Sequence, residues 1–264
     1  MKRRKDSMKI TLITGSASGL GFEFAKLYAK DNNNLLLVDI NEDKLNKAKE
    51  ELTNLYNVSV ETLVADLANK DELKKVYNYS LEKGYFVNNL VNCAGFGDRT
   101  DFKEMNIDKQ LAMTDVLCNA LLYFTRVYLD DMLKYDEGHI INVSSIAGFM
   151  PGPFMCTYHA CKSFVLMLGE AIAYEIRKTN VKHLTLCPGP FLSNFVKEAG
   201  NDYTFKKIKP VTAEKVARFG YNKSLKGKTL AIVGFKNRLT VFACRFFPRK
   251  MVTMVSAKNM KKEK

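Results

Sequence analysis

The chain has 264 residues, 47% of them hydrophobic, enough for one sizeable α/β domain with its own core. It holds no run of about 18 uncharged apolar residues, which excludes an evident membrane-spanning helix. The net charge of +13 sits in Tyr203–Lys264, where 17 Lys/Arg face Glu214 and Glu263; the rest holds 24 basic and 26 acidic residues, so charge alone selects no partner.

Residues 1–7 read as a basic, polar N-terminal extension without the apolar stretch of a secretory signal. Beyond it, short β-type runs alternate with helix-length segments. Strands are predicted at Lys9–Thr14, Leu35–Val38, Ser59–Val64, Val87–Asn92, His139–Asn142, Lys182–Leu186 and Thr229–Val233. Helices are predicted at Leu20–Lys30, Glu42–Tyr56, Lys70–Lys83, Asp108–Leu133, Thr157–Thr179 and Ala213–Leu225. The alternation predicts one α/β domain over residues 8–235, a Rossmann-type doubly wound parallel sheet of about seven strands with helices on both faces. In such sheets ligands bind beyond the carboxyl ends of the strands, at the topological switch point.

The first predicted strand runs into Gly15-Ser16-Ala17-Ser18-Gly19-Leu20-Gly21 and then a helix. Glycines permit a tight turn and close approach to a pyrophosphate, and a helix N-terminus offers free N–H groups. The second strand ends in Asp39, whose carboxylate can accept both ribose hydroxyls and repels a 2′-phosphate. No cation follows at position 40 and Ser18 places none in the loop, so NAD(H) is favoured while NADP(H) stays open; a strand-end turn is the plainer role for Asp39. Asp66-Leu67 can meet an adenine edge or serve as a turn and cap. At the fourth strand end, Asn92, Ala94 and Gly95 are expected at the cofactor: Ala94 and Gly95 let backbone lie against its ribose, and Asn92 can also tie neighbouring strands.

Ser144-Ser145 follow the fifth strand, and Tyr158-x-x-x-Lys162 comes thirteen residues after Ser145. The YxxxK pattern recurs at Tyr79, Tyr174 and Tyr203, so position singles out Tyr158: it opens a helix just past a strand end. Tyr and Lys at i and i+4 share a face, and an ammonium there is expected to lower the phenol pKa toward acid/base duty. Ser145 can polarise the same carbonyl oxygen.

Thr14-Gly15-x-x-x-Gly19-x-Gly21, Asn92-x-Ala94-Gly95, Ser145, Tyr158-x-x-x-Lys162 and Pro188-Gly189 together resemble the short-chain dehydrogenase/reductase family over roughly residues 8–235. The resemblance implies a nicotinamide-dependent enzyme moving a hydride between cofactor and a secondary alcohol or ketone. It implies Tyr158 as acid/base, Ser145 as substrate stabiliser, Lys162 also on the nicotinamide ribose, and Pro188, Gly189 and Ser193 beside the nicotinamide. Ser145 is chosen over Ser144 because the family's serine stands thirteen residues before its tyrosine. One departure stands out: the family's mid-helix asparagine, which holds a relay water, falls here on Leu117. Asn119 lies about 200° further round an ideal helix and takes the slot only through an irregular turn. Leu117 feeds the rival reading of a nucleotide-binding sensor or scaffold.

Phe149, Met150, Pro151, Phe154, Phe191, Phe195 and Val196 suggest an apolar substrate pocket with a lid around Leu192–Tyr203, unless they are plain core. Arg99 and Lys197 are either solvated surface or partners for an acidic substrate group. Residues 236–264 read as a basic amphipathic tail, broken at Pro248. The tail packs on its own or a partner subunit or touches an anionic membrane surface; with no recognition module visible, nucleic acid is not expected. Six cysteines without a CxxC pair suit reduced thiols in the cytoplasm, and three histidines without ligand-like spacing suggest no metal site. The expected assembly is a homodimer or homotetramer.

Overall fold

Seven parallel strands order themselves β3-β2-β1-β4-β5-β6-β9 in a computed structural model that describes residues 7–192 and 211–260. The strands are β1 (Lys9–Thr14), β2 (Leu35–Asp39), β3 (Val60–Val64), β4 (Phe86–Asn92), β5 (His139–Val143), β6 (Lys182–Cys187) and β9 (Leu230–Ile232). Runs such as Leu35-Leu36-Leu37-Val38 are buried throughout because helices cover both faces. On one face α1 (Gly19–Lys30), α2 (Glu42–Leu55) and α7 (Ala213–Leu225) share a core with Ile13, Leu37 and Leu186. On the other, α3 (Lys70–Glu82), α5 (Leu121–Tyr135) and the end of α6 (Cys156–Glu175) close over Leu12, Leu36 and Leu90.

Local chemistry accounts for the helices. In α2 the Asn41 side chain caps the Lys44 N–H at 2.9 Å, Glu42 and Asp43 suit the positive N-terminus, and Leu45, Ala48 and Leu52 form the buried stripe. Thr14 pairs with Val38 on one side and Asn92 on the other, so the carboxyl ends of β1, β2 and β4 lie level at the switch point.

Three departures from the sequence pattern bear on the site. The helix expected over Asp108–Leu133 is α4 (Ile107–Thr114), a π turn (Asp115–Ala120) and then α5. A π turn widens the helix by one residue, turning Leu117 and Cys118 into a small cluster with Met113 and Cys161 while Phe124 and Tyr128 face the sheet. Two-residue strands β7 (Phe191–Leu192) and β8 (Val211–Thr212), too short to leave an apolar pattern, pair in parallel. The tail folds as α8 (Phe235–Ala243) and α9 (Arg249–Met260), with Pro248 between them; no described helix is long and apolar enough to cross a membrane.

Candidate active site

At the end of β1 the chain turns through Gly15 at φ +65° and Gly19 at φ +56°, left-handed conformations that favour glycine. Crowding adds to this, since a Cβ on Gly21 would stand 2.1 Å from the Gly15 carbonyl oxygen. Helix α1 opens with Ser18 at its N-cap, yet the Ser18 side chain makes no capping bond and no acid occupies the first turn. The first-turn amides therefore face the cleft without a local acceptor, a setting that suits an anion. Thr14 Oγ1 accepts from the N–H groups of Cys93 and Ala94, each at 3.1 Å, and ties β1 to the chain leaving β4.

Asp39 accepts from the Ala17 N–H on one carboxylate oxygen and the Asn41 N–H on the other, both at 3.0 Å. Each oxygen keeps a further lone pair for a ribose hydroxyl. Asp66 lines the same cleft while accepting from the Ala68 N–H at 2.9 Å, so the ligand-facing and turn roles coexist.

The chemical end is built by β5, the 3₁₀ turn Ile146–Phe149 and α6. Ser145 Oγ accepts from the Ala147 N–H at 3.1 Å and lies 3.4 Å from the Pro188 carbonyl. Lys162 is buried; its Nζ donates to the Val143 carbonyl at 2.8 Å and lies 5.7 Å from the Tyr158 ring centre. Ser144 donates to the Lys162 carbonyl at 2.7 Å and thereby locks α6 to the strand end. Burial pulls the Lys162 pKa down and pushes the Tyr158 phenol up to about 12, against the opposing Ser145 hydrogen bond. This reverses the expectation of a lowered phenol. The phenolate would be desolvated, and the ammonium donates to the Val143 carbonyl.

These elements bound a cleft of about 640 Å³. Ser145, Tyr158 and Lys162 line it, as do Gly15, Ser18, Gly19, Leu20 and Gly21 of the loop, Asp39, Asp66, Leu67, Ala94, Gly95, Pro188 and Gly189. Ser16 and Asn92 do not. Ser16 donates to the Val38 carbonyl at 3.2 Å, and Asn92 turns into the core, donating to Asn142 Oδ1 at 2.8 Å and Thr125 Oγ1 at 3.1 Å. Ser193, Phe195, Val196 and Lys197, with most of the expected lid, lie outside the described residues. Met150 and Phe191 line the cleft; Phe149, Pro151 and Phe154 do not.

The π turn does not bring Asn119 to the site: its side chain donates to Asp115 at 2.7 Å in solvent, while Leu117 lines the cleft. A Cβ on Gly95 would fall 2.3 Å from Leu117 Cδ2, so the two positions fit as a pair. Arg99 is not solvated surface. It is buried, and its Nε donates at 2.6 Å to the carbonyl of Met260 at the end of α9. Met260 thereby joins the cleft wall, a placement that nothing in the tail's local pattern announces. Lys44 and His159 were missed as well, though each had a signal: Lys44 follows the Asn41 cap just after Asp39, and His159 adjoins Tyr158.

The family model described as short chain dehydrogenase matches residues 9–204. An uncharacterized oxidoreductase of Staphylococcus saprophyticus is 29% identical over 181 residues, 69% of this chain and 77% of that protein. Among solved structures, a short-chain dehydrogenase from Sphingobium yanoikuyae in complex with NADPH aligns with TM-score 0.81 at 22% identity, covering 90% of this chain and 93% of that one. A short-chain dehydrogenase/reductase from Burkholderia phymatum in complex with NAD aligns with TM-score 0.82 at 23% identity, covering 89% and 92%.

Proposed function

The chain belongs to the short-chain dehydrogenase family, and from that premise we propose that it is an NAD(P)-dependent oxidoreductase acting between a secondary alcohol and its ketone, with a lipophilic substrate. The observation that carries this reading is the meeting of Ser145, Tyr158 and Lys162 in one cleft with the glycine loop and Asp39. The cradle suits a dinucleotide: its amides lack a local acceptor, and the space over Gly15 and Gly21 admits no side chain. Such a cofactor supplies or accepts the hydride.

The remaining chemistry belongs to the protein. Tyr158 passes a proton to or from the substrate oxygen, and the Ser145 hydroxyl hydrogen-bonds that oxygen as charge develops. Lys162, held by Val143, fixes the ribose and sets the electrostatics beside the phenol. Phe96, Met150, Met155, Phe191 and Met260 give the substrate end an apolar wall, which supports the lipophilic class. We favour NAD(H) on the strength of Asp39, with Lys44 nearby as the cation that keeps NADP(H) open. A cytoplasmic homodimer or homotetramer is the assembly we infer, supported by the exposed stripe Phe164, Met167 and Tyr174 on α6.

A panel of hydrophobic ketones and secondary alcohols followed at the NADH absorbance tests the reading. Turnover of any of them supports it. Leu117 favours a second reading, a nucleotide-binding sensor or scaffold, and tight NADH binding with no turnover across the panel selects that one.

A further inference from the structure

Helices α8 and α9 carry an apolar surface that no described part of the chain covers. On α8, Phe235 is 78% exposed and Leu239 and Phe242 continue at i+4 and i+7, while Val241 is buried on the inner side. On α9, Met251, Met254, Val255 and Lys258 form an outer stripe, and Ser256 turns inward. The connection adds Phe246, 70% exposed, and Phe247; Phe246 packs edge-on against Phe242 with ring centres 5.0 Å apart.

Exposed apolar surface of this extent marks a contact site, and its chemistry identifies the partner. Residues 235–260 hold Lys236, Arg238, Arg245, Arg249, Lys250 and Lys258 and no acid. On an ideal helix Lys236 falls roughly 60–100° to one side of the Phe235–Leu239–Phe242 stripe, flanking it as a cation flanks an apolar face in an interfacial helix, while Arg238 on the other side donates to the Ile232 carbonyl at 3.2 Å and lies over Phe219. A second copy fits this face poorly, because a two-fold contact would oppose six cations with six more. The stripe on α6 already offers an apolar contact for self-association.

We infer that α8, the Phe246-Phe247 turn and α9 form a docking face for an anionic lipid surface. The aromatic and Met side chains enter the headgroup boundary, and the flanking Lys and Arg meet lipid phosphates. The contact is peripheral and reversible and leaves the oxidoreductase reading untouched.

Co-sedimentation of the full-length protein with vesicles tests the inference without cofactor or substrate, so its failure is separate from any failure of catalysis. One vesicle set is phosphatidylcholine alone; the other contains about 30% phosphatidylglycerol. The protein is expected to bind the anionic set at least tenfold more strongly, and about 0.5 M NaCl should erase that preference. Lys236→Glu/Arg245→Glu/Lys250→Glu and Phe242→Ser/Phe246→Ser/Met254→Ser should each abolish binding, with circular dichroism and melting temperature unchanged. Should the apolar variant misfold, the charge-reversal variant decides, since its three positions are all exposed. Equal binding to both vesicle sets overturns the inference. So does an oligomer, indifferent to vesicles, that dissociates on the Phe and Met substitutions, or capture of a single-stranded oligonucleotide in place of lipid.

Discussion

At Tyr158 burial and the Ser145 hydrogen bond oppose each other, and burial wins: the phenol is pushed up to about 12. Tyr158→Phe removes the transferable proton and keeps the ring, so turnover should fall about 10²–10⁴-fold while the NADH dissociation constant stays unchanged in a fluorescence titration. At the other end of the cleft, Asp39→Ala should weaken NAD about tenfold or more and leave NADP less affected, which would show as a crossing of the two kcat/KM values. The thirteen-residue step from Ser145 to Tyr158 made the trio legible, because a strand end, a turn and a helix start fix their separation. The hydrogen bond that turns Lys162 toward Val143 was not legible, because it depends on where a buried carbonyl points. Arg99 was misread for the same reason: a single cation in a polar loop carries no trace of a helix end 161 positions away.

The elements that strands and caps define were plain from the sequence, and those that depend on helix pitch were not. A π turn leaves its neighbours' periodicity intact, so Asp108–Leu133 read as one helix although Asp115–Ala120 winds wider. The glycine loop was legible as a unit, and its tolerance is now testable. Gly21→Ala places a methyl 2.1 Å from the Gly15 carbonyl oxygen, backbone against backbone, so α1 must shift away from β1. Cofactor affinity should drop at least tenfold by calorimetry, and the melting temperature should fall with it. Helix α8 contributes by packing: Asn237 donates to the Val233 carbonyl at 2.6 Å and fills the space above Gly189, so the turn beside the chemical end rests on the tail.

Across the whole molecule, a polar chain crosses the sheet core from Asn92 through Asn142 to His183. Burial holds His183 neutral, with its pKa pushed down to about 4. The unfolded chain takes up this proton near pH 6.5 and the native one near 4, so the stabilisation is whole above 6.5 and drains as pH falls between those values. At about 1.4 kcal/mol per unit, roughly 3 kcal/mol goes by pH 4, and urea midpoints measured from pH 7 to 4 should decline accordingly. His139 and His159, also lowered by burial, push the same way. The link from Arg99 to Met260 has a practical meaning for anyone preparing the protein. It anchors the last described turn at the rim of the cleft, whereas Lys9 opens β1 at the amino ends of the strands, away from the carboxyl ends that bound the cleft. A purification tag or reporter fused after Lys264 would start four residues beyond that anchor. It should raise KM several-fold for bulky substrates, and the same cargo fused ahead of Met1 should leave the kinetics alone.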